Sequence, residues 1–237
     1  MASLVERTVG DLAAEHPAAA RVFEQLGIDY CCGGSRTLEQ ACHAAHRTMA
    51  EVEESLEAAR TATPEEHSWQ NEPLADLIAY IKNTHHRYTW AEIERLGPLC
   101  DKVCSVHGAN HPELARLRSD FATLAAELKL HMMKEEAILF PYIERMEEAR
   151  MEGAPVLPAP FGTVQNPVAL MVHEHDDAGA LLGSMRKWAN GYVAPDDGCL
   201  SYRTLYAALA AFEADLHQHI HLENNILFPR AIAMERA

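Results

Sequence analysis

His131 and Glu135 stand four residues apart, as do His219 and Glu223. At that spacing on an α-helix, side chains project from one face, about 6 Å apart at Cβ. An imidazole and a carboxylate so placed can ligate one metal ion or two neighbouring ones. A single such pair is ordinarily a surface ion pair, but two features argue otherwise here. First, each pair opens one of two matching eleven-residue stretches, His131-Met132-Met133-Lys134-Glu135-Glu136-Ala137-Ile138-Leu139-Phe140-Pro141 and His219-Ile220-His221-Leu222-Glu223-Asn224-Asn225-Ile226-Leu227-Phe228-Pro229. They agree at His, Glu, Ile, Leu, Phe and Pro with a constant offset of 88 residues, which marks a duplicated structural unit. Second, each pair continues an apolar stripe. Leu117, Phe121, Leu124 and Leu128 lead by fours and threes to His131, Glu135, Ile138 and Tyr142, and Leu209, Phe212 and Leu216 lead to His219, Glu223 and Ile226. These are core positions of a helical bundle. A carboxylate there is costly unless it is paired or bound to metal, and facing helices are where bundles build metal sites.

Two further helices should face these pairs. Between 167 and 190 the stripe Val168, Met171, His175, Ala178, Leu182, Met185 takes in His175 and leaves His173 beside the charged Asp177. His175 is therefore the expected ligand, with the small Ala178 and Gly179 leaving room for a metal or its exogenous ligand. Between 74 and 104 both His85 and His86 are candidates. The upstream stripe Leu74, Ile78, Ile81 points to His85, and the downstream stripe Trp90, Ile93, Gly97, Cys100 points back to His86. Periodicity leaves that pair undecided. His217 and His221 also lie four apart, on a flanking face with Glu213, and are expected to be solvated or structural. Glu136, one residue off its stripe, is expected to contribute little. Cys100, Cys104 and His107 have a spacing that can hold a soft metal, but small core residues near a helix end are the simpler reading. His16, His43, His46, His67 and His111 lie outside the seam.

The expected donors are four imidazoles and two carboxylates: His86 or His85, His131, Glu135, His175, His219 and Glu223. Six ligands exceed the four of a structural zinc site. The nitrogen and oxygen mixture suits iron or manganese, and two carboxylates can bridge two ions. An open di-iron site, with positions for water, oxo, O₂ or NO, is the concrete expectation.

The elements that must position these groups are all helical. The 237 residues are 48% hydrophobic, enough for a substantial core, and strand formers do not fall into alternating runs. An all-α protein is expected, with a small N-terminal helical domain at 1–62 and a four-helix bundle with internal two-fold duplication at 74–237. In the former, Thr8 starts a helix, Pro17 opens a second that stops at Gly27, and Thr37-Leu38-Glu39-Gln40 is a capping box. One helix is expected to follow it, with Leu38, Ala41, Ala45, Met49, Val52 and Leu56 on its apolar side. So few residues bury little core, and this unit needs a partner surface. Thr61 to His67 reads as a linker. The bundle helices fall near 74–104, 113–150, 167–190 and 201–235, with a Pro-rich connection at 153–160. Pro141 and Pro229 should kink or end their helices.

A formal charge of −15 disfavours nucleic acid and anionic membrane as partners. The first residues show no basic segment followed by an apolar one, and no apolar run nears the roughly 18 residues of a membrane span. The six cysteines are unevenly spaced, so a disulfide framework is not expected and the cytoplasm is.

At these residues the chain resembles the iron–sulfur cluster repair di-iron proteins, the repair-of-iron-centres branch of the hemerythrin-like family. The resemblance covers nearly the whole length. It rests on Asp29-Tyr30-Cys31-Cys32-Gly33-Gly34 with Thr37-Leu38, on Thr84-His85-His86-x-Tyr88, on Glu174-His175-Asp176-x-Ala178-Gly179, and on the two eleven-residue stretches. It implies a hemerythrin-like bundle and puts the first ligand at His86. It also implies two non-haem iron ions, oxo- and carboxylate-bridged, and the repair of iron–sulfur clusters damaged by nitrosative or oxidative stress. Iron supply, NO handling or both would achieve this, including an NO reductase activity at the centre. Oxygen-carrying hemerythrins use five histidines, so the second His-x-x-x-Glu departs from their pattern. An O₂- or NO-binding sensor or carrier is the competing expectation. Partners are then proteins with damaged clusters and a small ligand, NO or O₂.

Cys31 and Cys32, adjacent in a Gly-rich turn, are expected to be exposed and near a helix start, where thiolate is favoured. The functional readings are thiol redox or transfer chemistry and a homodimer through the N-terminal domain. The plain reading is two free thiols in a turn, and the resemblance favours function.

Overall fold

The computed structural model of the protein describes residues 4–62, 68–156 and 159–236. The fold is all-α. Among the described residues only isolated bridges, Thr8 with Thr37 and Ala159 with Gly162, stand outside helices and turns as extended pairing. No described helix is long and apolar enough to cross a membrane. The chain packs into two compact units, the first from 1–79, 142–166 and 217–237, the second from 80–141 and 167–216.

In the first unit, α1 (Val9–Glu15) begins where the Thr8 side chain accepts the Asp11 N–H at 3.1 Å. Helix α2 (Pro17–Leu26) opens on proline and closes at Gly27, whose φ of 70° is left-handed. Beyond the Thr37 capping box the chain forms two helices instead of one, α3 (Leu38–Ala44) and α4 (Met49–Ala62). The cause is a second reciprocal box. Thr48 N–H donates to Glu51 Oε2 at 2.9 Å, and Glu51 N–H donates to Thr48 Oγ1 at 3.3 Å. A capping residue takes extended backbone, so the preceding helix must end first, and His46 turns the chain with a φ of 54°. Of the expected linker, Thr61 and Ala62 close α4, while 63–67, His67 among them, lie outside the described residues. Val9, Phe23, Leu38 and Val52 are fully buried at the centre of these helices.

Four long helical paths make the bundle. α5 (Leu74–Ile81) runs through a π-turn at Lys82–His86 into α6 (Arg87–His107). α7 (Glu113–Lys134) runs through Glu135–Leu139 into α8 (Phe140–Glu152). α9 (Gln165–Trp188) is uninterrupted, and α10 (Leu200–Leu222) runs through Glu223–Leu227 into α11 (Phe228–Arg236). Pro141 and Pro229 therefore do not end their helices. A proline removes one N–H and its ring presses on the carbonyl four residues back. The widened turn just before it absorbs that conflict, with Phe140 N–H donating to Glu135 O and Phe228 N–H to Glu223 O. π-turns of this kind recur at functional sites.

The duplication extends to the helix caps, within the first unit. Glu147 of α8 accepts the Leu74 and Ala75 N–H groups at 2.7 and 2.8 Å, satisfying the start of α5. Glu235 of α11, 88 residues later, accepts Val164 N–H at 2.8 Å, ahead of α9. The second unit is a four-helix core in which Leu96, Leu117, Leu124, Leu182, Tyr202, Leu209 and Phe212 interlock from α6, α7, α9 and α10. Glu213, buried on α10, is held by the Arg186 guanidinium, whose Nε lies 3.0 Å from Oε1.

Candidate metal centre

The second unit gathers His86, His131, Glu135 and His175, all buried. His86 closes the first π-turn, His131 lies in the last turn of α7, Glu135 opens the second π-turn, and His175 sits midway along α9. His86 Nε2 is 3.4 Å from Glu135 Oε2, and His131 Nε2 is 3.3 Å from Glu135 Oε1. His175 Nε2 lies 3.0 Å from His131 Nε2. One carboxylate thus stands between two imidazoles, and a third imidazole closes on the second. Ligand atoms of His131, Glu135 and His175 all lie within 4.8 Å of one another.

The outer nitrogens fix which way the inner ones face. His86 Nδ1 pairs with Glu136 Oε1 at 2.7 Å, and His131 Nδ1 pairs with Glu174 Oε2 at 2.8 Å. A carboxylate can only accept here, so each Nδ1 carries a proton and each ring turns its Nε2 towards Glu135, the nitrogen that binds a metal once it is deprotonated. Imidazole nitrogens and a carboxylate converging on one buried point form an arrangement that a cation stabilises. Imidazole held from behind by a carboxylate is the usual support of a metal-ligating histidine. Burial alone would raise the Glu174 carboxyl, but Lys134 and His131 hold it below its ordinary range. The donor set fits a metal ion. Glu136 is consequently more than a bystander: it orients His86, a role invisible to stripe periodicity because its side chain works from outside the seam.

In the first unit, His219 Nε2 lies 3.0 Å from Glu223 Oε1, both side chains buried. The pair repeats the placement of His131 and Glu135, histidine in the last α-turn and glutamate at the first π-position.

Comparison with known proteins agrees with this geometry. Residues 83–231 match the family described as "Hemerythrin HHE cation binding domain", and residues 5–60 match one described as "Domain of Unknown function (DUF542)". Iron-sulfur cluster repair protein YtfE of Pectobacterium atrosepticum is 36% identical over 230 residues, covering 97% of this chain and 98% of the relative. The protein of the same name from Edwardsiella ictaluri is 38% identical over 228 residues, 96% and 97% of the two chains. That of Yersinia pestis is 33% identical over 229 residues, 97% and 98%. The chain belongs to the hemerythrin-like iron–sulfur cluster repair family. Its cation-binding region spans all six expected ligands, and the N-terminal match takes in Cys31 and Cys32.

The remaining histidines sort by their partners. His85 is buried but turns to Asp215, Nδ1 to Oδ1 at 3.0 Å, and meets the Tyr80 ring edge-on. His173 is exposed and lies 3.7 Å from Asp177. His217 pairs with Glu24 at 2.9 Å. His221 is buried against the Tyr30 ring, and burial pulls its pKa down to about 4.

The thiol segment differs from expectation. Cys31 is buried and Cys32 half-buried, their sulfurs 3.9 Å apart. The Cys32 sulfur and burial, with Asp29 adding its charge, push the Cys31 thiol well above its ordinary range. Cys31 is therefore a neutral thiol rather than an exposed thiolate. The same loop meets the start of α1 with carbonyls rather than N–H groups, Gly34 and Arg36 accepting Gly10 and Val9 N–H at 2.8 and 3.0 Å.

One pair escaped the sequence reading. His107 Nε2 lies 3.1 Å from Cys199 Sγ, ahead of α10. The Tyr202 N–H and His107 lower this exposed thiol to about 7. The two residues are 92 apart, so no local spacing signals them. Cys100, by contrast, is a core thiol raised by burial to about 12.

Proposed function

We propose that this chain repairs damaged iron–sulfur clusters through a di-iron centre held by His86, His131, Glu135, His175, His219 and Glu223, with Cys31 and Cys32 in a transfer or redox role. The observation that carries the reading is the convergence of inward-turned Nε2 nitrogens on the buried Glu135 carboxylate. Support for including His219 and Glu223 comes from the repeat and from α10 itself. Its buried stripe Leu209, Phe212, Leu216 continues along one unbroken helix to His219 and, one residue past its end, Glu223. The names of the relatives match repair rather than a carrier or sensor.

Bound iron would supply a donatable Fe(II) and a redox-active site for NO. The chain's own part is to hold it reversibly. Imidazole and carboxylate bind Fe(II) less tightly than later divalent metals, and protonation of the three inward-facing rings weakens the site further. Glu136 and Glu174 keep His86 and His131 in the binding tautomer. Nitric oxide as a small ligand, and the cytoplasm as compartment, belong to the same reading through the family resemblance.

The test is anaerobic reconstitution followed by transfer. About two irons per chain and restored activity of a cluster-damaged dehydratase are the expected results. Fewer than one iron per chain would sink the di-iron reading; full loading without transfer would sink donation.

A further inference from the structure

Asn225 has an environment that its counterpart in the first repeat, Ala137, lacks. Its Nδ2 donates to the carbonyl oxygens of Tyr30 at 3.1 Å and Cys31 at 3.4 Å, and lies 3.0 Å from His221 Nδ1. Its Oδ1 occupies a slot between two backbones. A Cβ on Gly10 would stand 2.5 Å from that oxygen, and one on Gly34 would stand 2.3 Å away. Gly10 N–H donates to Gly34 O at 2.8 Å, tying the slot's walls together. Beside it the His221 ring packs on Tyr30, centroids 5.3 Å apart.

The two copies of the repeat diverge at these positions. Met133, Ala137 and Ile138 are exposed in the first copy, while His221 and Ile226 are buried and Asn225 half-buried in the second. The second copy meets the loop that carries the thiols at positions where the first copy is open to solvent.

We infer that Asn225 is a positioning residue, seating the Cys31–Cys32 segment on the π-turn that begins at Glu223 and keeping Cys31 out of solvent. Its relevance to repair rests on the role proposed above for the two thiols, but the seat itself is independent of that role. The amide supplies both directions of the fit: donors fix the carbonyls of Tyr30 and Cys31, and the acceptor oxygen fills the space that two glycines leave. Neither an apolar residue nor a larger amide can do both.

The experiment uses the full-length, metal-free protein and N-ethylmaleimide. Mass spectrometry follows the second alkylation on the Cys31–Cys32 peptide, the half-buried Cys32 reacting first. Cys42, buried in the same N-terminal core, is the internal reference. Asn225→Ala should speed Cys31 labelling about tenfold or more, the factor carried by two lost hydrogen bonds in a local opening equilibrium, with Cys42 unchanged. Gly34→Ala should do the same through its clash. In the double variant the clash is gone, so its rate should match Asn225→Ala alone. An unchanged Cys31 rate in Asn225→Ala, additive effects in the double variant, or a parallel rise at Cys42 would each overturn the assignment. Repair activity measured alongside reports on the other claim. Normal repair by Asn225→Ala with fast Cys31 labelling would count against the thiol role and leave the seat standing.

Discussion

His131 and His175 meet Nε2 to Nε2 at 3.0 Å inside the second unit. With the His131 proton committed to Glu174, this contact is tolerable for neutral rings only if His175 donates, and both nitrogens become acceptors once a cation is present. Metal should therefore bind the folded state alone and raise its melting temperature. Iron at a hundred times its dissociation constant adds about 2.7 kcal/mol, which for a chain of this size is roughly 5–10 °C. Calorimetry of metal-free and anaerobically loaded protein checks this, and His175→Ala should lose most of the increment.

Glu135 and Glu136 are neighbours in sequence with different tasks. Glu135→Gln should remove most bound metal. Glu136→Gln should weaken it by roughly tenfold, the usual cost of losing a group that orients a ligating histidine. Metal content after dialysis against a graded chelator separates them. Equal losses would mean that Glu136 is itself a ligand or that neither residue is.

The first π-turn explains where sequence periodicity stopped being informative. Buried positions upstream run Leu74, Ile78, Ile81, His85; downstream they run His86, Thr89, Ile93, Leu96, Cys100. The upstream stripe holds, while downstream Thr89 and Leu96 are buried where Trp90 and Gly97 were expected, and those two are half-buried. The π-turn at Lys82–His86 adds one residue between the stripes, so two consecutive histidines are buried and neither period can choose. The same insertion at Glu135–Leu139 exposes Ile138 and buries Leu139, against the expected stripe. The helical class, the capping box at Thr37 and the buried faces that carry the candidate ligands were legible because they follow from local spacing. The orienting glutamates, the Asn225 seat and the Cys199–His107 pair were not. Each depends on side chains brought together from distant segments, where sequence offers no period to follow.

The caps at Glu147 and Glu235 are testable as a matched pair. Each carboxylate satisfies N–H groups at a helix start, so Glu147→Ala and Glu235→Ala should each cost about 1 kcal/mol and lower the melting temperature by roughly 2–4 °C. Thermal unfolding of metal-free protein reads this without interference from the site. No change in either variant would mean that solvent replaces the carboxylate at no cost.

Cys199 should be the thiol most reactive near neutrality. The Tyr202 N–H and the His107 ring both favour its thiolate and lower it to about 7. Alkylation by iodoacetamide should therefore rise with pH through a midpoint near that value. In His107→Ala the backbone donors remain, so the midpoint should move only part of the way towards the ordinary thiol value of about 8.5. An unmoved midpoint would show that the helix start acts alone.

Ile138 and Ile226 hold the same place in the repeat, yet Ile138 is 50% exposed and Ile226 only 3%. α1 packs against the π-turn that carries Ile226, in the same unit as the thiol loop. Ile226→Ala in the full chain should cost about 2–4 kcal/mol, as for a buried aliphatic truncation. Ile138→Ala should fall within about 0.5 kcal/mol of wild type. Denaturant unfolding of metal-free protein measures both. The comparison then repeats in a chain limited to residues 74–237, without α1–α4. There nothing from α1 covers Ile226, and its truncation should cost little more than that of Ile138. If the large difference persists in the shortened chain, the burial of Ile226 comes from the bundle helices themselves, and the N-terminal helices contribute nothing to the stability of that turn.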